Sequence, residues 1–151
     1  MIKILFICHG TICRSPMAEY IFKDMAAKAG LGGRFDVSSA ATSREEIGND
    51  IYPPSKRTLD AHGIAYGRHA AHQVTEREMR AYDHIVIMDA NNMRNLRRMF
   101  GDRYQAKIHM MMEYAGEDRD VADPWYTGDF EEAYSDIEAG CRGLLEQLGR
   151  E

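Results

Sequence analysis

Ile2-Lys3-Ile4-Leu5-Phe6-Ile7-Cys8-His9-Gly10-Thr11-Ile12-Cys13-Arg14-Ser15-Pro16 changes physical character twice within fifteen residues. The run before Cys8 is apolar and rich in β-branched residues, which suits a buried strand. Ser15-Pro16 reads as a helix N-cap followed by a first helical position. The residues between therefore form a loop that joins a strand to a helix N-terminus. Such a loop suits an oxyanion, because the first backbone N–H groups of a helix lack internal partners and its dipole is positive there. Gly10 lets backbone approach a ligand closely, and Arg14 offers a planar fork for two oxygens. Cys8 then sits beneath the bound phosphorus. Helix N-termini and neighbouring cations favour the thiolate, the nucleophilic form of a thiol.

With three cysteines in the chain, a Cys with Arg six positions later is weak evidence by itself. The strand before it and the helix after it supply the specificity. Ser15 has two readings that are compatible, as N-cap and as a hydrogen-bond donor to the Cys8 sulfur.

The chain has 151 residues, of which 44% are hydrophobic, enough for one compact domain spanning 1–151. No linker, repeat or apolar run of membrane-spanning length interrupts it, and the opening run turns polar too soon for a signal peptide. The expected location is the cytoplasm. A net charge of −5 argues against nucleic-acid binding, so any attraction for phosphate is local. Cys8, Cys13 and Cys141 form neither a secreted disulfide framework nor paired zinc knuckles.

Strands are expected over 2–7, 35–39, 84–88 and 107–111, and helices over 17–29, 55–62, 75–81, 91–100 and 130–148. The last helix is the clearest, with Tyr134, Ile137, Cys141, Leu144, Leu145 and Leu148 on one face. This alternation implies an α/β protein with a parallel sheet covered on both sides. Ligands bind such sheets beyond the carboxyl ends of the strands, where the loop after strand one lies. Loops 40–54 and 112–129 are the expected walls of the site.

Expelling a phenoxide from a phosphate ester calls for a proton donor. Asp123 is the best candidate, because Pro124 biases it towards an extended backbone within a long surface loop. Asp120 and Asp129 are rivals that sequence does not separate from it. The same carboxylate can deprotonate the water that attacks a phosphocysteine, while Arg14 and the loop amides stabilise the equatorial oxygens. The scheme calls for no metal and no cofactor. His69 and His72 have H-x2-H spacing without further ligands and read as structural or solvated. Asp89 is either a site residue after the third strand or the N-cap of the following helix. Cys13 is close enough to Cys8 for a reversible disulfide and equally suited to burial, whereas Cys141 and Met110–Met112 read as core.

The segment from Cys8 to Glu19 resembles the signature of the low-molecular-weight protein tyrosine phosphatases. Ser39-Ala40-Ala41-Thr42-Ser43, His62-Gly63-Ile64, His69-Ala70-Ala71-His72-Gln73, Met88-Asp89 with Asn92, and Asp123-Pro124-Trp125-Tyr126 resemble further family segments in family order. The resemblance implies a flavodoxin-like four-stranded parallel sheet of order 2-1-3-4 and hydrolysis of phosphotyrosine esters. It assigns Cys8, Arg14 and Asp123 to catalysis, and His9, Gly10, Thr11, Ile12, Cys13 and Ser15 to the phosphate loop. Ser39 and His69 become supports of that loop, with Asp89 behind it. Thr11 stands where the family usually carries Asn, His9 where it carries an apolar or small residue, and His72 where it more often has Arg.

Trp125 and Tyr126 offer an aromatic wall that favours a phenyl ring. Related phosphatases acting on phosphoarginine usually carry Thr where this chain has Ile12, which also favours phosphotyrosine. Glu45 replaces a second aromatic wall and is expected to favour basic residues flanking the phosphotyrosine. Phosphate, sulfate and vanadate are the expected competitive ligands. Three alternatives remain: a protein arginine phosphatase, a non-catalytic phosphate-binding or phosphocysteine relay module, and an arsenate reductase, which would need cysteines absent between Cys13 and Cys141.

Overall fold

The computed structural model describes residues 1–150. Strand β1 (Ile2–Cys8) lies between β2 (Phe35–Ala41) and β3 (His84–Ile87), and β4 (Ile108–Met110) pairs with β3. All pairings are parallel, and the order is β2-β1-β3-β4, the flavodoxin-like arrangement.

Alternation along β1 sorts the core into two layers. Ile4, Phe6 and Cys8 face helices α1 (Arg14–Lys28) and α6 (Phe130–Leu148), together with Leu59 from α2 (Pro53–Ala61). Leu5 and Ile7 face the other side, with Met79 of α3 (Glu76–Ala81) and Leu96 of α4 (Ala90–Phe100). A one-turn helix, α5 (Pro124–Thr127), completes the set. No helix of the described residues is long and apolar enough to cross a membrane.

Several boundaries differ from expectation for identifiable reasons. Strand β2 runs on to Ala41 because the Ala41 N–H donates to the His72 carbonyl and its carbonyl accepts from the Val74 N–H. Strand β4 is shorter, since 3₁₀ turns occupy Gln105–Lys107 and Met111–Ala115. The Lys107 ammonium instead donates to the carbonyls of Met79, Arg80 and Tyr82, satisfying the end of α3. Thr75 lies outside α3 as its N-cap, in a reciprocal capping box with Glu78. With β1 centred and parallel, Cys8 ends at the carboxyl edge of the sheet beside α1.

Candidate active site

Cys8 closes β1 and is 3% exposed. The loop turns back on it at Thr11, whose φ is 53° and whose N–H donates to Cys8 Sγ at 3.3 Å. The Ser15 hydroxyl lies 3.1 Å from Cys8 Sγ and 2.7 Å from the Thr11 hydroxyl. Ser15 is therefore not the N-cap. Helix α1 begins at Arg14, Cys13 takes the cap position without a side-chain bond, and Pro16 occupies the third position. Proline fits there because first-turn N–H groups have no intrahelical acceptor. Beginning two residues before the expected first position, Pro16, the helix brings Ser15 under the sulfur and leaves its leading amides free of any side-chain cap.

Arg14 is 2% exposed, and its partners come from three separate segments. Nη1 donates to Asp89 Oδ2 and to the Val121 carbonyl, both at 2.8 Å, while Nη2 lies 3.4 Å from Asp123 Oδ2. Burial works against the charge, but Cys8, Asp123 and Asp89 together hold the guanidinium firmly protonated. Asp89 fulfils both of its readings: Oδ1 accepts the Asn92 N–H and caps α4, while Oδ2 faces Arg14.

The three acid candidates separate by what their carboxylates do. Asp120 accepts from the Ala90 N–H, and Asp129 caps α6 by accepting from the Glu132 N–H. Asp123 is extended (φ −81°, ψ 111°) and caps α5 through Oδ1, so that Oδ2 alone turns to Arg14.

A cavity of about 100 Å³ is lined by Cys8, His9, Gly10, Ile12, Cys13, Arg14, Glu45, Glu46, Asp123, Trp125 and Tyr126. Thr11 and Ser15 do not line it; they are fully buried and underpin the loop. His69 Nε2 meets the Thr11 carbonyl at 2.5 Å. Ser39 departs from its expected place, since its hydroxyl donates to Glu19 Oε1 at 2.8 Å and not to the loop. His72 pairs with Glu78, and that bond raises its pKa. Burial, with the neighbouring Cys8 and Asp123, pushes the Cys13 thiol up to about 12, and all three cysteines are free. Glu45 bonds His9 Nε2 at 2.9 Å across the mouth. Trp125 and Tyr126 stand at the rim, 51% and 83% exposed.

Three contributors had not been anticipated. Glu46 lines the wall, and its Cγ lies 3.1 Å from where a Cβ on residue 10 would be, so any side chain there would press on Glu46. Tyr52 packs at a tilt against Trp125 and Phe130, at centroid distances of 4.9 and 6.1 Å. Val121 acts through its carbonyl, which leaves no trace in a sequence, whereas the aromatic Tyr52 before two prolines was a readable signal.

The family model described as low molecular weight phosphotyrosine protein phosphatase matches residues 3–151. YfkJ of Bacillus subtilis, a low molecular weight protein-tyrosine-phosphatase, is 42% identical over 100% of this chain and 98% of its own. Its crystal structure superposes with a TM-score of 0.95 over 99% of this chain and 96% of that one. The human low molecular weight phosphotyrosine protein phosphatase is 36% identical over 96% and 94% of the two chains. A Drosophila arginine phosphatase has the same fold at 28% identity, with a TM-score of 0.88 over 97% and 98% of the two chains. The loop from Cys8 to Arg14, its buried arginine and the Asp123-Pro124 segment thus sit in a matched scaffold, and the chain belongs to the low molecular weight phosphotyrosine protein phosphatase family.

Proposed function

We propose that the chain hydrolyses phosphotyrosine esters of proteins through a Cys8 phosphocysteine, with Asp123 as general acid and then general base. The carrying observation is that Cys8, Arg14 and Asp123 share one small cavity under an aromatic rim. In the first step the Cys8 thiolate attacks phosphorus in line. The P–O bond breaks as Asp123 protonates the departing phenoxide. In the second, water attacks phosphorus, Asp123 takes its proton and the S–P bond breaks, with the Ser15 hydroxyl placed to stabilise the returning thiolate. Two Arg14 donors are committed to Asp89 and Val121, which leaves Nε–H and Nη2–H as the edge that grips two phosphoryl oxygens. Glu45 and Glu46 give the rim an acidic side suited to a basic residue flanking the phosphotyrosine. Phosphate, sulfate and vanadate fit the same cradle as competitors.

Aryl phosphate turnover is expected to vanish in Cys8→Ser. In Asp123→Ala, kcat/KM, which ends at phosphocysteine formation, should fall by about 10²–10⁴-fold on poor leaving groups and much less on good ones. Turnover that survives in Cys8→Ser would overturn the mechanism. The apolar Ile12 wall favours the aryl ester, and faster release of phosphate from phosphoarginine than from phosphotyrosine peptides would overturn the substrate assignment. Glu45→Gln should weaken any preference for basic flanks.

A further inference from the structure

Helix α4 carries Arg94, Arg97 and Arg98 and no acidic residue, in a chain of net charge −5. Arg97 is neutralised in part, lying 3.5 Å from Asp102 and bonding Gln105. Arg94 and Arg98 are different. Both are exposed, and their hydrogen bonds go to neutral amides three residues earlier: Arg94 to Asn91 Oδ1 at 3.1 Å and Arg98 to Asn95 Oδ1 at 2.6 Å. The amides orient the guanidinium groups along one stripe without cancelling their charge. Among the described residues neither has an ion-pair partner. Like charges at this spacing repel by a few tenths of a kcal/mol, roughly, so the stripe is a local cost to the helix.

This stripe leads away from the active site. The N-cap of α4 is Asp89, which bonds Arg14, and the Ala90 N–H bonds Asp120 in the acid loop. At the helical rise, Arg94 and Arg98 lie about 6 and 12 Å along the axis from Ala90 and about 6 Å from each other. Alternate side chains of an extended peptide share a face and are roughly 6.6–6.8 Å apart. Two carboxylates at alternate positions therefore match the two guanidinium groups.

Resting on the phosphotyrosine phosphatase reading above, we propose that Arg94 and Arg98 form a docking ridge for an acidic, extended segment of the phosphoprotein substrate, beyond the residues that enter the cavity. A long polyanion is a poorer fit, because Asp102 and Glu76 already hold Arg97 and Arg103 at the far end of the ridge. A lipid surface is poorer too, since Met93, Met99 and Phe100 pack against the core, leaving no apolar anchor on the stripe.

The test compares two phosphotyrosine peptides with the same flanks and either a Glu-x-Glu-x-Glu or a Gln-x-Gln-x-Gln tail. For the wild-type protein at low salt, KM should be about fivefold lower for the acidic tail, the equivalent of two exposed ion pairs, with kcat unchanged. High salt should erase the difference. Arg94→Gln/Arg98→Gln should abolish the preference while hydrolysing a small aryl phosphate at the wild-type rate, and Arg94→Lys/Arg98→Lys should retain it. Equal KM for both tails in the wild type, or a preference that survives in the Gln variant, overturns the proposal. Arginine-dependent binding to phosphatidylglycerol vesicles or single-stranded RNA, without a tail preference, overturns it in favour of those partners. Absence of aryl phosphate turnover in the wild type would instead defeat the underlying phosphatase reading.

Discussion

Thr11 is the only non-glycine residue of the described chain with positive φ, at 53°. A β-branched side chain in that region carries strain of about 1–3 kcal/mol, held only where surrounding contacts over-determine it. Here they do. The N–H donates to Cys8 Sγ, the hydroxyl meets Ser15, and the carbonyl meets His69. Asn tolerates the same backbone with less strain. Thr11→Asn should therefore raise the melting temperature by about 2–4 °C, corresponding to ~1 kcal/mol for a chain of this size. Thermal unfolding followed by circular dichroism checks this, and an unchanged or lower midpoint would show that the threonine is not strained. The residue's identity was visible in the sequence as a departure from its relatives. Its backbone angle was not, since nothing in threonine calls for a left-handed turn. Cys8, Arg14 and Asp123 were legible because each sits where a strand end, a helix start or an Asp-Pro step fixes its neighbourhood.

At the scale of elements, α6 approaches the 3₁₀ turn Met111–Ala115 more closely than side chains permit. A Cβ on Gly143 would lie 1.8 Å from the Tyr114 carbonyl oxygen, and one on Gly140 would lie 2.8 Å from that of Met111. At Gly143 the two nearest atoms are backbone, which cannot rotate aside. Gly143→Ala should destabilise the fold by about 1–3 kcal/mol or more, despite alanine's better helix propensity. Urea unfolding at constant m-value measures it, and a neutral or stabilising result would mean that the turn yields. The apolar stripe of α6 announced the helix, yet the purpose of its glycines depends on a segment some thirty residues away and could not be read locally. Helix α5 escaped for a related reason: four residues hold barely one turn, too short for any periodicity. The start of α1 was misplaced because Ser15-Pro16 has the composition of a cap. The sulfur beneath the loop is the better partner for that hydroxyl, and the helix starts two residues before the proline. The strands, by contrast, were legible as apolar runs because a parallel sheet covered on both faces buries both sides of each strand.

For the molecule as a whole, the acid segment is held by contacts from elements far apart in sequence. Arg14 donates to the Val121 carbonyl, the Val121 N–H donates to the Met88 carbonyl, and Asp120 accepts from Ala90. The outermost tie is Arg119, which grips Asp136 of α6 with two hydrogen bonds at 2.8 and 2.9 Å and Glu117 with two at 3.2 Å. Partly exposed pairs of this kind contribute only about 0–1 kcal/mol each to stability. Their consequence for rate is larger, because a displacement of about 1 Å in a catalytic group can lower the rate about 100-fold. Arg119→Ala should leave the melting temperature within a few degrees of wild type. On aryl phosphates with high-pKa leaving groups, which on the proposed mechanism depend on proton delivery by Asp123, kcat/KM should fall about tenfold, intermediate between no displacement and a full ångström. Those with low-pKa leaving groups, which depart without a proton, should keep the wild-type kcat/KM, since that ratio ends at phosphocysteine formation and omits the hydrolytic step common to all substrates. A series of substituted phenyl phosphates reads this as a steeper dependence of log kcat/KM on leaving-group pKa. A uniform loss across the series would place the damage at Cys8 or Arg14. No loss at all would show that Val121 and Asp120 hold the acid without the outer clamp.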